Sequence, residues 1–150
     1  MDACELRHAD EADRDFLFDV YAQTMRGHVE WAWGWDEAVQ RRNLTAALPL
    51  RDWRIVSVGA RPAGALHVQE RPHTHHIHLL LLLPEFQRRG VGTQLLRDEI
   101  ERARVQTKGL TLQVIKSNPA RRLYDRLGFT VYAEDAVSWQ MVIGGGVLSA

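Results

Sequence analysis

The chain of 150 residues carries one cysteine, Cys4. A lone thiol excludes an internal disulfide, a CxxC redox pair and a cysteine-built zinc site, and a reducing cytoplasm is the expected compartment. Charge of one sign is also missing, since 19 Lys+Arg stand against 19 Asp+Glu for a formal net charge of +0. No global field draws such a protein to nucleic acid, so any anion site has to be built locally. Long apolar runs are absent as well. Ile77 to Leu83, with His78 inside it, falls far short of the ~18–20 residues that cross a bilayer, and the opening MDACELRHAD has neither the positive start nor the apolar stretch of a signal peptide. The expected partners are therefore neither nucleic acid nor membrane.

What is present fits one ordinary globular domain, at 45% hydrophobic and 25% charged residues. No repeat and no Ser/Gly/Pro-rich linker divides the chain. The expectation is a single domain over 1–150, with its core from about Leu6 to about Ile143 and a loose tail from Gly144 to Ala150.

The coarse pattern begins with a short strand near Glu5 to Arg7. Asp10, with Asp13 three residues on, then caps an amphipathic helix running to about Met25. A second helix is expected from Asp36 to about Ala47, stopped by Pro49. RIVSV and ALHVQ read as a hairpin turned at Gly59 to Pro62. His75 to Leu83 reads as a buried strand, Gly90 to Val105 as a helix with Val91, Leu95, Leu96, Ile100 and Ala103 on one face, and Leu110 to Ile115 as another strand. That β-α-β order predicts two parallel strands. A short helix from Pro119 to Leu127, ended by Gly128, precedes an antiparallel pair at Phe129 to Tyr132 and Val137 to Ile143.

The chemistry-bearing stretch is LLLLLPEFQRRGVGT, residues 79–93. A buried strand ends, turns, and opens a helix through Gly90 and Gly92. Helix N-termini present orphan N–H groups and a positive dipole end, and glycines let backbone approach a phosphate. The spacing matches neither GxxxxGK[ST] nor GxGxxG, which disfavours a P-loop or a Rossmann site. A second cluster, NPARRLYDRLGF, spans Asn118 to Phe129.

Together the two segments resemble the GNAT superfamily of acetyl-CoA-dependent N-acetyltransferases, whose motifs read Gln/Arg-x-x-Gly-x-Gly/Ala and Asn-x-x-Ala-x-x-Leu-Tyr-x-x-Leu-Gly-Phe. The resemblance implies an α/β fold, a mixed and largely antiparallel sheet with a central parallel β-α-β unit and helices on both faces. It implies acetyl-CoA as cosubstrate, no metal, and transfer to a primary amine by direct attack in a ternary complex, without an acyl-enzyme on Cys4. The alternative is a non-catalytic acyl-CoA-binding or regulatory domain. A homodimer is compatible with either.

Carried over position by position, the resemblance places the CoA pyrophosphate on the backbone amides of Arg88, Arg89, Gly90, Val91, Gly92 and Thr93. It gives the pantetheine arm backbone partners on the strand, for which Leu81 and Leu83 are the candidates. Asn118 matches a cofactor-binding position, although an Asn before Pro is also a good helix cap. Tyr124 matches a tyrosine that protonates the departing thiolate. The usual carboxylate base position, six residues before the loop proline, is occupied by His78, which is a competent base near neutral pH. Alternation puts His76 on the same face. His73, His75, His76 and His78 also invite a metal, but no carboxylate or cysteine in the run completes a tetrahedral site.

The acceptor side falls between the first two helices. There Trp31, Trp33 and Trp35 would share a face in an extended segment, either as a wall for an aromatic, apolar or cationic amine or as core plugs. Met25, Arg26 and Glu30 lie beside them in sequence, and Asp36 follows.

Overall fold

Asp10 and Asp13 start the first helical region by satisfying each other's backbone. The Asp10 carboxylate accepts from Ala12 N, and Asp13 Oδ2 accepts from Asp10 N at 2.8 Å. Arg7 donates two hydrogen bonds to the Asp13 carboxylate, 2.8 and 2.9 Å, and holds it below the ordinary carboxylate range. The box therefore caps a 3-10 turn, Glu11–Asp13, and the long helix α1 follows at Arg14–Trp33. The molecule is described here from a computed structural model in which residues 4–145 are placed. Of the expected tail, only Gly144 and Gly145 fall within them.

Helix α1 runs eight residues past the expected end at Met25. Gly27 reads as a breaker, yet an interior glycine costs only ~1 kcal/mol relative to alanine. The apolar stripe continues through it to the buried Val29. Gly34, with φ 84°, ends the helix. Helix α2, Glu37–Ala46, starts at Asp36, whose side chain accepts from Val39 N.

The strands are β1 (Cys4–His8), β2 (Trp53–Val58), β3 (Arg61–Glu70), β4 (Thr74–Leu82), β5 (Gly109–Ile115), β6 (Thr130–Glu134) and β7 (Ser138–Ile143). Helix α3 is Val91–Val105 and α4 is Arg121–Leu127. By their internal contacts the residues fall into two compact units. The first comprises the chain up to Val68 together with Leu79–Val91. Its strands follow the order β1-β2-β3-β4, with β1–β2 and β2–β3 antiparallel. Gly59 and Ala60, with φ 57° and 68°, turn the β2–β3 hairpin. Its core includes Leu17, Val20, Trp53, Ile55, Val56 and Leu66.

The second unit comprises Gln69–His78 and the chain from Gly92 onward. Its order is β4-β5-β7-β6. Strands β4 and β5 are parallel, in register from Thr74↔Gly109 to Ile77↔Leu112, and β5–β7 and β6–β7 are antiparallel. Leu95, Leu96 and Ala103 of α3 are buried, as are Leu110, Leu112 and Met141. Each fully buried Leu contributes roughly 1.5–3 kcal/mol, so this amphipathic spacing gives α3 a face to bury. The mixed seven-stranded α/β sheet with one parallel pair is the architecture expected from the sequence.

Candidate active site

The turn between β4 and α3 is built from backbone. A 3-10 turn, Pro84–Phe86, buries Phe86, and the Gln87 side chain reaches back to donate to the Leu82 carbonyl at 2.9 Å. The motif's glutamine thus ties the loop to the end of the strand. Arg88 and Gly90 then adopt left-handed backbone, φ 62° and 81°, on either side of Arg89. Alternating backbone hands of this kind turn successive N–H groups to one side and form anion-binding concavities. Helix α3 opens at Val91 immediately afterwards, so its first, unpaired N–H groups continue the row through Gly92 and Thr93. The arginine side chains point elsewhere in part, since the Arg89 guanidinium lies 5.6 Å from the Phe86 ring centroid.

Of the strand residues, Leu81 and Leu83 require correction as backbone partners for a ligand. Leu83 N donates to Ala63 O at 2.8 Å and Leu83 O accepts from Phe86 N at 2.9 Å. The Leu81 carbonyl also faces β3, because a Cβ built on Gly64 would lie 1.9 Å from it. Backbone groups alternate edges along a strand, so those of Leu80 and Leu82 face the opposite edge. A shift of one residue along a strand reverses the edge that its backbone groups face.

In the second unit, Tyr124 sits on α4 with its ring 5.8 Å from that of Phe129, edge to face. Burial pushes its phenol up to about 12, which keeps it protonated at neutral pH. Gly128, left-handed at φ 102°, ends α4 as expected. Asn118 Oδ1 accepts from Ala120 N at 2.9 Å in a turn ahead of α4, which starts at Arg121 and not at the expected Pro119, with Ala120 as its N-cap and no side-chain cap bond.

His78 and His76 do share a face of β4, their rings edge to face with centroids 4.6 Å apart. His76 Nδ1 lies 2.7 Å from Thr111 Oγ1, and His78 Nε2 lies 3.3 Å from Gln69 Oε1. His75 is on the other face, fully buried, with Nε2 3.3 Å from Gln106 Oε1 and 3.6 Å from Glu70 Oε1. His73 is exposed in the turn before β4. Among the described residues no group of three or more His, Cys, Asp or Glu could hold a metal ion. Gln69 and Thr111 escaped sequence reasoning. Neither belongs to a motif, and only the strand register brings them to the histidines.

The tryptophans do not form one extended face. Trp31 and Trp33 lie in the last turn of α1 and are 54% and 62% exposed. Trp35 turns inward and stacks on Tyr21 at 5.9 Å, tilts against Phe18 at 6.3 Å, and has the Arg26 guanidinium 5.5 Å from its centroid. The helix supplies the reason. At ~100° per residue, positions two apart diverge by ~200°, whereas an extended chain would realign them. Met25, Arg26 and Glu30 lie on α1 itself, in about the last three turns before it ends at Gly34. A cleft of 260 Å³ in this unit is lined by Arg14, Phe18, Arg41, Leu44, Thr45 and Trp53 among others, and by none of the residues expected to bind acceptor or cofactor.

A family model described as an acetyltransferase (GNAT) domain matches residues 34–139. Over 140 residues the chain is 29% identical to aminoalkylphosphonate N-acetyltransferase of Salmonella typhimurium, which covers 86% of both chains. It is 30% identical over 132 residues to an uncharacterized N-acetyltransferase of Archaeoglobus fulgidus, covering 80% of this chain and 88% of the relative. Among solved structures, the PaiA N-acetyltransferase of Thermoplasma acidophilum in complex with coenzyme A superposes with a TM-score of 0.76 at 16% identity, over 95% of this chain and 99% of that one. The ribosomal-protein-S18-alanine N-acetyltransferase of Escherichia coli gives 0.67 at 18% identity, over 95% and 94%.

Proposed function

Because the chain belongs to the GNAT acetyltransferase family, we propose that it transfers the acetyl group of acetyl-CoA to a primary amine by direct attack, without an acyl-enzyme on Cys4. The observation that carries this reading is the left-handed pair Arg88 and Gly90 leading straight into α3. It aligns backbone donors for a pyrophosphate without any metal. The Leu80 backbone and the Leu82 N–H are the part of β4 left to pair with the pantetheine arm, since the Leu82 carbonyl accepts from Gln87. Asn118, whose oxygen is spent on the Ala120 N–H, retains its NH₂ donors for the cofactor.

The acceptor amine must lose a proton before or as its nitrogen forms the C–N bond, and His78 accepts that proton. The C–S bond breaks in the same sequence, and the sulfur leaves toward Tyr124. A phenol at about 12 is a weaker acid than a thiol, so Tyr124 acts first as a hydrogen-bond donor to the developing thiolate, and as CoA leaves as the thiol the phenol regains its proton from water, which balances the proton that His78 gives up. Arg26 and Glu30, with Met25 and the exposed Trp31 and Trp33, are the residues we assign to the acceptor. The Salmonella relative's name makes small amines that carry an acidic group the first to try.

Two measurements test the reading. Thermal stabilisation by CoA reports binding, and thiol release over an amine panel that includes aminoalkylphosphonates reports turnover. We expect both. Stabilisation with no turnover on any amine would replace the enzyme by an acyl-CoA-binding domain. Tyr124→Phe is expected to lower kcat by ~10²–10⁴ while CoA affinity is largely kept.

A further inference from the structure

Resting on the reading of His78 as the base, we propose that its Nδ1 is the atom that takes the proton, and that Gln69 and Arg71 are positioning residues that fix this. Counting hydrogens leads there. Arg71 Nε lies 3.0 Å from Gln69 Oε1. A guanidinium has only donors, so the Gln69 atom facing it is the carbonyl oxygen, and turning the amide over would set N–H against N–H. That same oxygen lies 3.3 Å from His78 Nε2. An amide oxygen has no proton to give, so Nε2 carries the hydrogen and the neutral ring keeps its lone pair on Nδ1.

Thr111 Oγ1 lies 2.7 Å from His76 Nδ1 and 3.4 Å from the His75 carbonyl, which ties the His76 ring to β5. The edge-to-face packing of the rings at 4.6 Å then limits rotation of His78 about its side chain. When the amine proton arrives at Nδ1, the Nε2–H bond to Gln69 stays intact, so charging the ring breaks no existing bond between them. The proton later leaves from Nδ1 to water. Arg71, beyond Gln69, and His76 are charged or titratable groups that face this ring in its own unit, and Thr111 lies beyond His76.

The test is ring-nitrogen NMR on the full chain with ¹⁵N-histidine, read with the pH profile of kcat/KM. In the wild type we expect His78 as the Nε2–H tautomer, its signals assigned with His78→Ala and His76→Ala. Gln69→Leu should mix the His78 tautomers and lower kcat/KM about tenfold or more without changing the KM for acetyl-CoA. Gln69→Glu should restore both the tautomer and activity and move the rising limb to higher pH, because a carboxylate stabilises the imidazolium. A wild-type His78 protonated on Nδ1 overturns the proposal, and so does an unmoved limb in Gln69→Glu. If Gln69→Leu fails to fold, those two measurements still decide. His78→Ala separates this inference from the one beneath it: a limb that survives there removes His78 as the base, whatever the tautomer.

Discussion

The loop at residues 87–91 and the corner at residues 31–35 each follow a chain element that simply ends, yet they carry information in different ways. In the loop, what matters is backbone: two left-handed residues, a helix start, and a glutamine that ties back to Leu82 O. In the corner, what matters is where three indoles go, and the roughly two extra turns of α1 send two of them to solvent and one inward. A site written in backbone hands can be read from glycine spacing. A site written in side-chain direction depends on the last helical residue, which spacing leaves open by several positions.

The sharpest way to break the comparison is in the loop. Gly90 stands at φ 81° with nothing within 4 Å of a built Cβ, so the objection to a side chain there is conformational and not steric. Gly90→Val should cost roughly 1–2 kcal/mol of stability and weaken CoA binding about tenfold or more, because a β-branched residue resists left-handed backbone and would pull the amides out of line. Arg88→Ala should cost CoA affinity less than that, since the amides remain. Thermal shift and CoA titration of both variants check it. Equal losses would mean that charge, not backbone, holds the pyrophosphate.

At the corner the prediction is a contrast within one segment. Trp35→Ala removes a ring packed on Tyr21 and Phe18 and should destabilise by about 2–4 kcal/mol in chemical denaturation. Trp31→Ala and Trp33→Ala should stay within about 0.5 kcal/mol, as exposed substitutions do. If Trp31→Ala or Trp33→Ala instead raises KM for an amine acceptor while leaving KM for acetyl-CoA alone, the exposed pair serves as acceptor wall.

What was legible in the sequence follows the same division. The β4-α3-β5 order, the parallel pairing it requires and the αL cap at Gly128 rest on periodicity or glycine chemistry, and the structure has them where expected. Which edge of β4 offers free backbone was not legible. It turns on a single hydrogen bond, Leu83 N to Ala63 O, that pairs residues twenty apart. Gln69 and Thr111 were hidden for a related reason, because each meets its histidine only through pairing with another strand.

The smallest expected effect bears on why α1 outran its expected end. Gly27 lies mid-helix with nothing within 4 Å of a built Cβ and without positive φ, so a methyl group meets neither clash nor strain. Gly27→Ala should therefore stabilise by about 0.5–1 kcal/mol, chiefly by removing backbone freedom from the unfolded chain. The midpoint in denaturant should rise with an unchanged slope. Helix content should not change, because the helix already passes through this position. A rise in helical signal on substitution would show that residues 28–33 are only partly helical in solution, which would return Trp31 and Trp33 toward the extended arrangement and blur the contrast with the loop.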